Sequence, residues 1–490
     1  NAAGRKGLFP DALPPLMPQD DEDASFAVWI TLSLDSKAAN QSTSGSFEVG
    51  IDGQTCSIAV FVCTWSFTIP AASSSESLLI DSAIQSRSIE ALLGHPASVE
   101  LLEEYYSNMI DHRVNAIAWG GIVPNVLLSI TKSAADGYNV TLNTTDHDAV
   151  VARLVSRGVR YLNMPKVAHF TDEPHKFPAN TSFCAGSFCE PVLGDSGEAT
   201  PQFVELFAAV NHALKAHYAS KGWLNMSYVM FKDEPLFTDN STLQTWLVIA
   251  QQLKKLDLQI IQTTFPLVPE VWPYVDWWVA HIVQWSDPTL SAAMSKLKAQ
   301  TGVPLSLYHN GVEITDLQGT RLLTFPWMMV EQDVLTDVPG LDGTLAWYSD
   351  DAWHSNPYTD ADQYCQTPGS ARCAAGWGYL LLPSKIAGSL VATPVSSIRW
   401  ELFRLGLEDA EMFRLAKRTL RSTVEHCTNH RDAYCIAADK LSAALPRIKE
   451  VAWGWYEVTD YTESTYTHNA TLVNDVRATI AAALNAVIGQ

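Results

Sequence analysis

The segment Met230-Phe231-Lys232-Asp233-Glu234-Pro235 sets two adjacent carboxylates directly after an apolar run, and the proline behind them stops ladder pairing and forces a turn. Neighbouring strand residues point to opposite faces, so both acids can address one ligand only if the backbone bends between them. A helix cap or a solvated turn is the plainer use of such a pair. As catalytic groups, the two suit cleavage of a glycosidic bond, one protonating the leaving oxygen and the other supporting positive charge on the sugar. A conventional retaining glycosidase carries a second carboxylate about 5 Å from the acid on another strand. The usual place for it, at Leu307-Tyr308-His309-Asn310, holds no acid. That absence points to substrate-assisted hydrolysis, in which the sugar's own 2-acetamido oxygen attacks the anomeric carbon. Glu234 is then acid and afterwards base, while Asp233 orients the acetamide and stabilises the oxazoline. Two carboxyls this close do not ionise together easily, which helps one of them keep the proton the acid role requires.

Other candidate strand ends carry aromatic and hydrogen-bonding residues: Trp119, His169, Trp285, Tyr308, Asn310, Trp347, Tyr348 and Trp353. Each alone reads as core. As a set on one rim they suit a saccharide cleft, because sugar C–H faces stack on Trp and Tyr while hydroxyls bond to Asn and His. Asp350 and Asp351 could bind hydroxyls, or one of them could be the covalent nucleophile of a conventional retaining enzyme. His309 is the nearest thing to a metal ligand, but it has no partner at metal spacing, so it reads as a hydrogen-bonding residue and neither metal nor cofactor is expected. Neither a Gly-x-Ser-x-Gly elbow nor a His-Glu-x-x-His helix occurs, which removes the serine hydrolase and zinc protease readings.

The elements that must position these residues begin with short alternating runs between about Ser25 and Pro70, part of a β-sandwich, followed by a Ser-rich linker at Ala71 to Ser77. Strand candidates then alternate with amphipathic helices. The strands are Val114–Trp119, Val140–Asn143, Val159–Met164, Ser227–Lys232, Leu258–Thr264, Val275–Val283, Pro304–His309 and Gly343–Tyr348. Helical stretches include Val99–His112, Asp148–Arg157, Pro201–Tyr218, Thr242–Leu256, Thr289–Gln300 and Trp327–Leu335. Such a series predicts an α/β fold, a (β/α)8 TIM-type barrel with its site at the carboxyl ends of the strands. A doubly wound sheet competes, but no Gly-x-Gly-x-x-Gly or phosphate loop follows the first strand. After Ser396 the chain reads as helices. The expected division is a partial sandwich with linker over residues 1–85, a catalytic barrel over 86–425 and a helical appendix over 426–490.

A net charge of −21 over 490 residues disfavours nucleic acid and anionic membrane surfaces as partners. Hydrophobic residues at 47% and charged ones at 17% exclude a disordered chain, and no apolar run is long enough for a transmembrane segment. The eight cysteines fall into close pairs, Cys56 with Cys63, Cys184 with Cys189, Cys365 with Cys373 and Cys427 with Cys435, which predicts four short-loop disulfides. Seven glycosylation sequons, at Asn40, Asn139, Asn143, Asn180, Asn225, Asn240 and Asn469, point with them to a secreted, lysosomal or cell-surface glycoprotein. A start at Asn1 without an apolar leader reads as a processed form.

Three stretches resemble glycoside hydrolase family 123. Val62-Cys-Thr-Trp-Ser-Phe-Thr-Ile-Pro70 is similar to the last strand of its amino-terminal sandwich, and Phe231-Lys-Asp-Glu-Pro235 to its catalytic pair. Ser397-Ile-Arg-Trp-Glu-Leu-Phe-Arg-Leu-Gly-Leu-Glu-Asp-Ala-Glu411 is similar to its closing helix. The resemblance implies a retaining β-N-acetylgalactosaminidase, with acetamide stabilisation at Asp233, acid/base catalysis at Glu234 and a glycan or glycoconjugate as substrate. A non-catalytic carbohydrate-binding or structural glycoprotein on the same fold is the alternative. Departures from the family are a short sandwich, whose missing strands are absent, cleaved away or supplied by another chain, and an insertion between Trp353 and Trp377. Arg399 and Glu401, at the helix start, are open to two uses: binding sugar or holding the barrel closed.

Overall fold

The computed structural model describes residues 42–51, 54–83, 86–115, 126–133, 137–264, 268–282, 287–309, 319–336, 341–348, 380–386, 389–427, 432–452, 467 and 469–489. Its centre is a parallel sheet of Leu79–Ala83 (β1), Leu162–Asn163 (β2), Ser227–Val229 (β3), Gln259–Thr263 (β4), Trp277–His281 (β5), Leu305–His309 (β6) and Gly343–Tyr348 (β7). Strands β2 to β7 are neighbours in chain order, and β7 then pairs with β1. A sheet whose last strand meets its first has curled toward a barrel. Gly343 permits that meeting, because a Cβ there would stand 1.7 Å from the Leu79 carbonyl oxygen.

Among the described residues β1 and β2 do not pair with each other. Asn115 lies between them: its N–H donates to Ile80 O at 2.7 Å, its Nδ2 to Tyr161 O at 3.2 Å, and its Oδ1 accepts from Arg160 N at 2.9 Å. The described fold is therefore a seven-stranded half-barrel where the sequence predicts a closed eight-stranded one. Six of the expected strand segments lie in the sheet. Val140–Asn143 does not: it belongs to an antiparallel hairpin, Leu127–Ser133 with Gly137–Asn143, whose alternating covered and open positions suit a one-sided ribbon. Val114–Trp119 is described only to Asn115. β1 enters the sheet from just beyond the expected linker, within residues 1–85 assigned to the sandwich and linker. Its sequence Leu-Ile-Asp-Ser-Ala, with two polar residues of five, carries little strand signal.

Alternation along the strands divides the apolar residues between two faces. Ile260, Trp278, Ala280, Leu305 and Leu307 join the main core with the helices, whereas Tyr161, Met230, Ile261, Trp277, Val279 and Tyr308 form a separate cluster on the other face, inside the curl. Much of the aromatic content is thereby spent on the core, with Trp246, Trp277, Trp278, Trp327 and Trp400 fully buried. Helices start where side-chain caps allow: Thr200 caps Pro201–Ser220, Asp239 caps Asn240–Lys255 and Asp287 caps Pro288–Thr301.

Several charged residues of the long Ile398–Val424 helix hold the fold together. Glu401 meets His112 at 3.0 Å and takes Nε and Nη2 of Arg404 at 3.0 and 2.9 Å, and Glu411 accepts from Ser77 Oγ at 2.6 Å. Arg399 is buried as well. Gly406 lets the helix approach Thr320–Leu335, since a Cβ there would lie 2.3 Å from Leu323 O. Asp409 takes Arg477 Nε and Nη2, each at 2.7 Å, from the final Ala470–Ile488 helix, and Trp327 Nε1 at 3.1 Å. Burial pushes the Asp409 carboxyl up, and Arg477 opposes the push. Arg477→Ala leaves that buried acid without its ion partner, so a loss of about 3 kcal/mol is expected in urea unfolding. A loss below about 1 kcal/mol would contradict this account. The Ala470–Ile488 helix is long and apolar enough by composition to cross a membrane, but its Val473, Val476, Ile480 and Leu484 face is buried against the Ile398–Val424 and Ala433–Ala444 helices.

Of the expected sandwich, the described residues contain one antiparallel hairpin, Ser42–Ile51 with Gln54–Cys63. This corrects one cysteine pairing. Cys56 and Cys63 are exposed free thiols on one continuous strand, seven residues and roughly 23 Å apart, where a disulfide needs Cα atoms about 4 to 7 Å apart. Cys184 and Cys189 face each other across two short strands and are bonded, and Cys427 is bonded to Cys435. Cys365 and Cys373 lie outside the described residues, as do Phe26–Leu32 and Asn40.

Candidate active site

The polar residues that converge do so at the carboxyl ends of β3, β4 and β6. Asp233 and Glu234 leave β3 at a sharp bend, and Glu234 sits at φ +38°, a left-handed conformation that costs a non-glycine residue about 1 to 3 kcal/mol. The bend answers the parity problem of two adjacent strand residues. Thr263, the last residue of β4, stitches it from below: its Oγ1 donates to Asp233 Oδ1 at 2.8 Å and accepts from Glu234 N at 3.2 Å. The residue before the pair is equally fixed, because Gln262 donates from Nε2 to Lys232 O at 2.9 Å while its Oε1 accepts from Trp246 Nε1 at 2.8 Å.

The two oxygens of Glu234 have different neighbours. The Tyr308 hydroxyl donates to Oε1, and His175 Nδ1 stands 3.6 Å from Oε2, a charge contact rather than a hydrogen bond. Protein crowding around Asp233 pushes its carboxyl above the ordinary range, while the Thr263 hydroxyl and the positive ends of His175 and Lys166 pull the other way. Its side chain still carries open surface, so solvent moderates the push. His281, at the end of β5, is held to about 4 by burial and stays neutral, its ring edge-on to Tyr308 at 4.8 Å. A cleft of about 480 Å³ opens beside Asp233, with Lys166, His169, Asp172, His175 and Lys232 also among its walls.

Of the residues expected from sequence, Asp233, Glu234 and Tyr308 come together, and His169 is exposed on the same cleft. Tyr308 is only 6% exposed, so it offers its hydroxyl to Glu234 and keeps its ring inside the curl. His309, Trp347 and Tyr348 occupy the carboxyl ends of β6 and β7, with their side chains outside the description. Trp119, Trp285, Asn310, Asp350, Asp351 and Trp353 lie outside the described residues. Among the described residues no His, Cys, Asp and Glu group has a metal-binding arrangement. Thr263, His175 and Lys232 escape sequence reasoning. Thr263 had a usable signal, a polar residue closing an apolar strand. His175 had none, since nothing in Glu173-Pro174-His175 marks its partner 59 positions on. Sequon residues Asn139, Asn143, Asn180, Asn225, Asn240 and Asn469 are all exposed.

The model of the glycoside hydrolase 123 catalytic domain matches residues 97–416. Among solved structures, a family 123 glycoside hydrolase from Clostridium perfringens, studied for glycolipid glycan hydrolysis, superposes with a TM-score of 0.58 at 12% identity. The match covers 92% of this chain and 76% of that one. A glucosidase from Croceicoccus marinus gives a TM-score of 0.34 at 12% identity over 68% of each chain, too low to carry an argument. No curated protein matches by sequence.

Proposed function

The chain belongs to glycoside hydrolase family 123, and on that premise we propose that it removes terminal β-linked N-acetylhexosamine, N-acetylgalactosamine in preference, with retention of configuration through an oxazoline. The observation that carries the reading is the bend at Glu234, which sets two adjacent carboxylates at one strand end with Asp233 on the cleft, together with a tyrosine that meets Glu234 from the strand end where a conventional retaining enzyme has its nucleophile. Glu234 gives its proton to the glycosidic oxygen as the acetamido oxygen closes on the anomeric carbon, and then takes a proton from the water that opens the oxazoline. Asp233, held by Thr263, stays ionised and stabilises the positive charge that develops on the oxazoline ring. The natural substrate is a glycan or glycoconjugate. Residues 1–85 as a partial sandwich, 86–425 as the catalytic unit and 426–490 as a helical appendix, the aromatic rim as a sugar-stacking surface, and the exposed sequons as glycan carriers in a luminal or secreted protein complete the proposal.

Release of 4-nitrophenol from β-N-acetylgalactosaminide and β-N-acetylglucosaminide substrates tests it, and release from neither removes it. The pH profile adds a signature. Asp233 must be ionised and its carboxyl is raised by burial, so activity falls on the acid side at a higher pH than an ordinary aspartate, about 3.9, would give. Thr263→Val removes a hydrogen bond that favours the ionised form, so the acid limb of kcat/KM moves further up. An unmoved limb takes Asp233 out of that role.

A further inference from the structure

The turn between Asp172 and Phe177 is built around the catalytic pair from both sides. On one side Lys232, 5% exposed, reaches into it: Nζ donates to the Asp172 carboxylate, to Glu173 O at 2.6 Å and to Lys176 O at 2.8 Å, over the Phe177 ring at 4.7 Å. On the other side Leu236 N donates to His175 O at 2.7 Å, and Phe177 N donates to Thr242 Oγ1 at 3.0 Å. Residues on both flanks of Asp233-Glu234 therefore grip one turn. At its tip His175 takes φ +61°, a conformation that a histidine adopts at a cost. The strained residue is the one whose Nδ1 stands 3.6 Å from Glu234 Oε2.

We propose that His175 is a positioning residue for the carboxylate pair, its imidazole, when protonated, standing opposite Tyr308 so as to fix the Glu234 carboxyl and favour its ionised form between the two steps. The proposal rests on the substrate-assisted reading above. The imidazole transfers no proton in the balance: the proton Glu234 loses goes to the departing oxygen, and the one it regains comes from water. Its effect is on Glu234 while the oxazoline waits, when the carboxylate must be charged and aimed at the incoming water. Among the described residues the charged and titratable groups near the pair are Tyr308 from β6, His175 from the turn and Lys166 after β2, with the Lys232–Asp172 ion pair behind and His169 and Glu173 on the same cleft. Lys166, and His175 when protonated, act as positive charges on Asp233. His175 is half exposed, so replacing it leaves the core intact.

The test compares His175→Asn, which tolerates a left-handed backbone and carries no charge, with His175→Lys, which keeps a positive charge. The probe is 4-nitrophenyl β-N-acetylgalactosaminide over a range of pH, alongside thermal melting. In His175→Asn, kcat falls about tenfold with KM within about threefold. Both limbs of the kcat/KM profile move up by about half a pH unit, because each carboxyl keeps its proton longer without the neighbouring cation. In His175→Lys the limbs return toward the wild type. A purely structural role scales the whole profile without moving its limbs, and that result overturns the assignment. The two levels of failure separate cleanly. A wild type indifferent to the 2-acetamido group removes the mechanism and this assignment together, whereas a wild type that needs the group, with unmoved limbs in His175→Asn, removes the assignment alone.

Discussion

Replacing the substrate's 2-acetamido group by a hydroxyl is expected to lower turnover by about 10⁴-fold or more, since an intramolecular nucleophile is worth effective molarities of about 10⁵ M and upward. The expectation follows from where the acids are. Asp233 and Glu234 sit together on one bend, and the strand end Leu307-Tyr308-His309-Asn310 has no carboxylate to attack the anomeric carbon. Binding need not fall in proportion, because most sugar hydroxyls are unchanged. A thiazoline mimic of the oxazoline should bind at least about 10²-fold more tightly than N-acetylgalactosamine, as it resembles the charged intermediate, and Asp233→Asn should remove most of that gain. The competing mechanism, with Asp350 or Asp351 as covalent nucleophile, predicts that a 2-deoxy-2-fluoro galactoside leaves an adduct on that residue. Such an adduct, or brisk turnover of the plain β-galactoside, would overturn the substrate-assisted reading.

Glu234→Gln is the second large effect. The amide keeps the shape and can still accept from the Tyr308 hydroxyl, but it has no proton to give. On alkyl or saccharide leaving groups, which depart only when protonated, the loss should reach about 10² to 10⁴-fold. On 4-nitrophenyl glycosides the first step needs little protonation, so the loss there should be about tenfold, arising from the second step in which water is no longer deprotonated. Steady-state rates on the two substrate classes measure the difference. Equal losses on both would take Glu234 out of the acid role.

Local signals carried much of this site. An apolar run closed by Asp-Glu-Pro announced both acids, and Tyr308 followed from the same kind of strand end. The helix Ile398–Val424 was equally legible, yet the purpose of its charges was not. Glu401, Asp409 and Glu411 find their partners at His112, Arg477 and Ser77, positions separated by 289, 68 and 334 residues, and no periodicity encodes such pairs. Strand assignment failed for related reasons. Leu79–Ala83, with Asp and Ser among its five residues, joins the sheet because Gly343 lets β7 come against it, while Val140–Asn143 has strand character but spends it on a hairpin.

Residue type and spacing were enough to establish the α/β texture, two acids at a strand end and the lack of a third at the expected one, since each of these depends on neighbours within a few residues. Tertiary structure alone decided that Glu234 bends into a left-handed conformation, that Thr263 and Tyr308 divide the two carboxyls between them, and that Lys232 holds a turn bringing His175 over the pair. It also separated Cys56 from Cys63, which close spacing had joined. The physical reason is common to all of them. Adjacency in a sequence limits how far apart two groups can be, but which atoms face each other is set by the register of strands and the path of loops, and those are chosen by the burial of the whole core.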